Sequence, residues 1–115
     1  MDSVSSADWP GVARELSPAL VGAGPCLRVL DNATVVPTAF RNEVQAVAGA
    51  AGIPLQIVFS GGGTDAKPFQ AEGPQVISLA FPVRYTHSAV ELVSPDDLDG
   101  CVELLCALAH HYAGN

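Results

Sequence analysis

Apolar positions change their spacing several times along this chain, and each change marks an element. Cys26 to Leu30 is a short apolar run ended by the turn pair Asp31-Asn32, and it reads as a strand. Val35-Val36 prolong the extended stretch before Pro37. From Thr38 to Ala51 the spacing becomes helical: Phe40, Val44, Val47, Ala48 and Ala51 fall on one apolar stripe. Gly52 stands where helices often end in a left-handed residue, and Ile53-Pro54 opens the next element. Leu55 to Phe59 has the β-branched and aromatic content of a strand, and it delivers the chain into three consecutive glycines. Thr64 to Glu72 predicts a short helix, with Thr64 or Asp65 as its cap and Pro68 either in its first turn or breaking it.

Val76 to Phe81 is apolar without alternation, as in a strand buried on both faces of a sheet, and Pro82 is expected to close it. The last element is a helix from Pro95 to Tyr112, with Ser94 at the N-cap and Asp96, Asp97 and Asp99 favourably placed near its positive end. Leu98, Val102, Leu105, Ala109 and Tyr112 form its expected buried stripe. Met1 to Pro25 has weak periodicity and reads as mostly loop, with at most a turn or two of helix between Val12 and Leu20. The order of strands and helices predicts an α/β fold with a largely parallel sheet. No internal repeat is present.

Composition narrows the classes. With 115 residues the chain is one domain at most, and 49% hydrophobic against 15% charged residues make it globular. A net charge of −7 argues against nucleic acid or an anionic membrane surface as partner. No stretch approaches the roughly 20 apolar residues of a membrane span. The N-terminus has neither a basic start nor an apolar leader core, which points to a cytoplasmic location. Cys26, Cys101 and Cys106 show no framework or metal spacing and read as buried reduced thiols.

Two segments carry candidate chemistry: Gly61-Gly62-Gly63-Thr64-Asp65-Ala66, and Arg84-Tyr85-Thr86-His87-Ser88 after the last strand. Glycines accept positive φ and let a ligand or another backbone come close. Both segments follow strands, and side-by-side parallel strands would bring them together at the carboxyl end of the sheet. Taken singly, each has a plainer reading. The glycine turn could cap a helix or form an anion nest, and it lacks the Lys-Ser/Thr of a phosphate loop. A lone histidine at a strand end is commonly a hydrogen-bonded structural residue. Tyr85 and Trp9 read as packing residues, and Asp96, Asp97 and Asp99 as ordinary helix-start charge.

Together, GGGTDA, then PVRYTHSAVELV and SPDDL, resemble the C-terminal third of the tetrahedral aminopeptidases, which include the glutamyl aminopeptidases and relatives once labelled endoglucanases. GPCLRVLDNATVV and Ala7-Asp8-Trp9-Pro10-Gly11 resemble earlier segments of the same family, in the same order. The resemblance implies a three-layer α/β/α metallopeptidase domain, an inserted dimerisation domain and a twelve-subunit homo-oligomer. It also implies two divalent metal ions, zinc or cobalt, and a peptide substrate that loses its N-terminal residue. Carried over by position, His87 would ligate one metal and Asp2 the other, while Gly61, Gly62, Gly63, Thr64 and Asp65 would line the substrate side. Glu91 also matches a family position near the site and reads equally well as structural, and the resemblance implies a His87 ring pointing towards Gly61 to Gly63.

The family's remaining ligands and its catalytic glutamate precede anything matched here, and the inserted domain is not matched either. Residues 1–115 are therefore expected to be a single partial domain with no catalytic residue of its own. Two readings follow. The chain is the C-terminal portion of a two-metal aminopeptidase, inactive alone, or it is a non-catalytic remnant or interaction module that binds an intact relative. The buried sheet edge such a piece exposes would favour association.

Overall fold

A computed structural model describes residues 1–15 and 18–114. Four strands form one sheet in the order β1 (Asp2–Ser5), β4 (Ser78–Val83), β2 (Cys26–Leu30), β3 (Gln56–Phe59), with helices α1 (Thr38–Ala50), α2 (Ala66–Ala71) and α3 (Pro95–Ala113). The β1–β4 and β2–β3 pairs are parallel, and β2 meets β4 antiparallel. The α/β architecture with a largely parallel sheet is thus the one expected. β2, α1 and β3 make a parallel unit with a helical crossover.

Side chains alternate between two cores. Leu27 of β2 and Leu79 of β4 face Val44 and Ala48 of α1 and Leu104 and Leu108 of α3. Their neighbours Cys26 and Ala80 join Val4, Val58 and Ala19 in a second cluster. Burying these apolar groups supplies most of the drive to fold, roughly 1.5–3 kcal/mol for each large side chain. α1 ends as its sequence predicts: Ala51 caps it and Gly52 follows at φ 70°.

Several expectations need correction. Asp2 to Ser5 is a strand, not loop, because its backbone pairs with Ala80 to Val83. Such pairing is non-local, so four weakly patterned residues do not announce it. The described residues between Val12 and Leu20 form no helix, and Leu16 and Ser17 of that stretch lie outside the described residues. The last strand starts at Ser78 rather than Val76, and Pro82 lies inside it. Pro82 is tolerated because the β2 pairing ends at Ala80, so its missing N–H falls beyond the last rung on that side. The short helix begins at Ala66 rather than Thr64, which leaves Pro68 in its first turn. In α1, Ala51 is exposed rather than part of the buried stripe.

α3 is rotated by one residue from its expected face. Asp97, Cys101, Leu104 and Leu108 are buried, whereas Val102, Leu105 and Tyr112 are 54%, 44% and 43% exposed. The cause is polar. The Asp97 carboxylate, 1% exposed, accepts the N–H of Gly22 at 2.7 Å and of Gly24 at 2.8 Å, and Cys101 Sγ lies 3.4 Å from the Ala80 carbonyl. Asp97 is therefore more than helix-start charge. Ser94 caps with its backbone carbonyl, which accepts from Asp97 and Leu98, and not with its hydroxyl. Cys26 and Cys101 are buried free thiols, but Cys106 is exposed. Burial, followed by the neighbouring Cys101 and Asp97, pushes the Cys26 thiol up to about 12, so it stays protonated and unreactive.

Candidate functional site

β3 ends at Phe59 and the chain turns through Ser60, Gly61, Gly62 and Gly63. None of these glycines has positive φ, contrary to the usual reason for a glycine turn. Space is what Gly63 needs, since a Cβ there would stand 3.0 Å from Asn32 Oδ1. The Gly62 N–H donates to Ser60 Oγ at 3.2 Å, and its carbonyl accepts from the Asn32 amide at 3.3 Å. Thr64 Oγ1 meets Ser78 Oγ at 3.0 Å and accepts the Ala66 N–H at 3.3 Å, which ties the turn to the start of β4. Asp65 precedes α2 without a side-chain capping bond.

Arg28, in the middle of β2, organises this edge. Its side chain is only 2% exposed, and Nη1 donates to Asp2 Oδ2 at 2.7 Å. Nη2 lies 3.4 Å from the carbonyls of both Gly62 and Gly63, and 3.5 Å from Asp31 Oδ2. One buried cation thus links the start of β1, the turn after β2 and the turn after β3. A buried charge needs such partners. Asp31 spends its other oxygen on the amides of Ala33 and Thr34, both at 2.8 Å. No motif announces Arg28; the available clue is a cation within an otherwise apolar strand.

β4 leads into the second segment. Arg84 and Leu92 pair through both backbones, N–H to carbonyl at 3.0 and 3.2 Å, and close a loop from Tyr85 to Glu91. Tyr85 and His87 sit at φ 62° and 63°. Left-handed backbone costs a non-glycine residue about 1–2 kcal/mol, so other contacts must hold it. The Ser88 amide donates to the Tyr85 carbonyl at 3.1 Å, and the Ser88 hydroxyl to the Val90 carbonyl at 2.7 Å. Glu91 Oε1 accepts the His87 N–H at 2.7 Å. Below the loop Arg84 pairs with Asp8 at 2.6 Å, and the guanidinium holds the Asp8 carboxyl down at about 2, against the opposing effect of burial. The Trp9 and Tyr85 rings meet edge to face at 5.5 Å, so both do pack, although Tyr85 remains 45% exposed.

Two cavities of about 460 Å³ each open along β1 and share Asp2 and Gly63. One is bordered by Asp2, Arg28, Gly61 to Gly63, Thr86 and His87. The other is bordered by Thr64, Asp65, Phe69 and the Val76 to Leu79 segment. All the sequence-predicted site residues therefore border this pair of cavities, but not by the expected route. β3 and β4 are not neighbours, and β2, which is parallel to β3, runs opposite to β4. The glycine turn consequently meets the start of β4, while His87 follows its end. Edge strand β1 spans the gap, with Asp2 opposite Ala80 and Ser5 opposite Val83.

Among the described residues, no three His, Cys, Asp or Glu side chains come together as a metal-holding group. Asp2 has one oxygen on Arg28 and the other on the Ser3 amide at 2.7 Å. His110 and His111 lie at the far end of α3, where His111 Nε2 is 3.1 Å from Glu43 Oε1. The donors among the described residues do not by themselves make a two-metal centre. Among the described residues, no helix is long and apolar enough to cross a membrane.

Comparison with known proteins gives the same neighbourhood each time. The family model for M42 glutamyl aminopeptidase matches residues 1–104. A lysyl aminopeptidase of Pyrococcus furiosus is 37% identical over 109 residues, which is 91% of this chain and 30% of that protein. Among solved structures, the TET1 peptidase of Pyrococcus horikoshii, which can assemble into a tetrahedron or a large octahedral shell, aligns with a TM-score of 0.81 at 33% identity. That alignment covers 93% of this chain and 31% of the other. An aminopeptidase from Desulfurococcus kamchatkensis aligns with a TM-score of 0.84 at 29% identity, covering 92% of this chain and 31% of its own. The chain spans about a third of the length of these relatives.

Proposed function

The chain belongs to the M42 glutamyl aminopeptidase family, and on that premise we propose that it supplies the carboxyl-terminal part of a two-metal aminopeptidase site. The observation that supports this reading is the cavity bordered jointly by Asp2, Gly61 to Gly63 and His87, which come from three separate segments of the chain. In this reading Asp2 and His87 each serve a different divalent cation, zinc or cobalt. Gly61 to Asp65 line the side that receives the N-terminal residue of a peptide. Such a cation pair, when bound, supplies an activated water and polarises the scissile carbonyl.

A catalytic zinc takes about three protein ligands and an open position. Asp2 and His87 fall short of that, so the remaining donors and the general base come from the upstream family sequence. The chain alone is therefore expected to hydrolyse no amino-acid p-nitroanilide, with or without added zinc or cobalt. Turnover that survives repurification and disappears in His87→Ala would sink this expectation. Co-expression with the amino-terminal two thirds of a full-length relative is expected to give turnover, and His87→Ala to abolish it.

The natural partner of such a unit is further copies of itself, as the tetrahedral and octahedral assemblies of the TET1 relative suggest. The net charge of −7 keeps nucleic acid and anionic membranes off the list. A second reading, a non-catalytic module that binds an intact relative, is favoured by one feature. β1 and β3 are the outer strands of the sheet, each with a single strand neighbour. Strand edges of this kind invite pairing with another chain. Light scattering on a mixture of the chain with a full-length relative separates the two readings, because only the module reading requires a stable mixed complex.

A further inference from the structure

We propose that Glu91 is a positioning residue for His87. Its carboxylate fixes the His87 amide, and with it the left-handed backbone from which His87 borders the cavity shared with Asp2 and Gly61 to Gly63. The inference rests on the reading of His87 as a donor of the site.

The loop from Tyr85 to Glu91 is pinned at its mouth by the two Arg84–Leu92 backbone bonds, but inside it the two left-handed residues are held differently. Tyr85 is fixed through its carbonyl by Ser88 and through its ring by Trp9. The hydrogen bond from its own amide to Glu91 Oε1 is the one His87 makes among the described residues. At 2.7 Å it is short, as expected when the acceptor carries charge. A non-glycine residue persists at positive φ only when its surroundings over-determine it. For His87 the determinant is Glu91, four residues on, whose own position is set by the Arg84–Leu92 bridge beside it. The loop is exposed and Glu91 contributes no core packing, so its role is separable from global stability.

Amide hydrogen exchange and the His87 ring resonances, measured by NMR on the metal-free chain, test the assignment. Glu91→Gln keeps a neutral side-chain oxygen acceptor at the same reach and is expected to give readouts between those of the parent and of Glu91→Ala. Glu91→Ala is expected to speed exchange of the His87 amide by about tenfold or more, the weight of one hydrogen bond to a charged group. The His87 ring signals should move with it. Glu91→Asp, one methylene shorter, should behave like Ala, and it serves as the loss variant if Ala unfolds the chain. Unchanged exchange in the loss variants overturns the proposal, and so does a Gln variant that behaves like Ala. These measurements do not depend on turnover. An active reconstituted enzyme carrying His87→Ala would therefore refute the functional reading while leaving the Glu91 result standing.

Discussion

The helix-covered face of the sheet and the edge along β1 are built on opposite principles. On the first, Leu27, Val44, Ala48, Leu79, Leu104 and Leu108 are each at most 7% exposed and meet through non-directional apolar contact. On the second, Asp2 has a side chain 46% exposed, Tyr85 and His87 hold left-handed backbone, and order depends on a few polar links through Arg28, Glu91 and Asp8–Arg84. Apolar burial sums over many contacts, so the first region carries stability. The second spends some of that stability on geometry, which is where strain and half-buried charge collect in functional sites.

The largest effect that would break this contrast lies in the core. Leu104→Ala should destabilise the chain by about 3 kcal/mol, read from the urea midpoint, because a fully buried side chain leaves a cavity behind. A cost under roughly 1 kcal/mol would mean that the helix-covered face relaxes freely and does not carry the fold.

A smaller effect belongs to Asp8. Its carboxyl is lowered from 3.8 to about 2 by Arg84, so the pair stabilises the folded chain above pH 4 and loses that contribution as pH falls towards 2. Solvent screening limits this to about 1 kcal/mol. Arg84→Gln should flatten the acid side of the stability curve over that window. A parent and variant that lose stability in parallel between pH 4 and pH 2 would show the pair to be inert.

The smallest effect has the opposite sign. His87→Gly should raise thermal stability slightly, by about 0.5 kcal/mol, since glycine adopts positive φ freely and this gain outweighs its extra unfolded-state entropy. A clear loss instead would place His87 with the packing residues and erase the contrast at that position.

What could be read from the chain follows the same division. The α1 period, the β-branched strand before the glycines and the Ser94-Pro95 helix start are local patterns, and each appears where expected within a residue or two. The GGGTDA and RYTHS segments stand out as candidate chemistry only as a pair, through the family resemblance, since each alone has a plainer reading. Arg28 was not, since its meaning depends on Asp2 and the glycine turn, which lie far from it in sequence.

By itself the sequence determined the class of fold, the boundaries of the long helices and the residues from which a site could be made, because propensity, period and capping act over a few neighbours. Tertiary structure alone decided the rest. It set which of two adjacent apolar stripes α3 buries, since the Asp97 carboxylate meets the amides of Gly22 and Gly24, and Cys101 the Ala80 carbonyl, on one of them alone. It turned Asp2 to Ser5 into a strand and let Pro82 sit inside β4, since both depend on where a neighbouring strand stops. It brought His87 and the glycine turn to one cavity from opposite ends of β4, because strand direction and order are fixed by long-range pairing that no local pattern records.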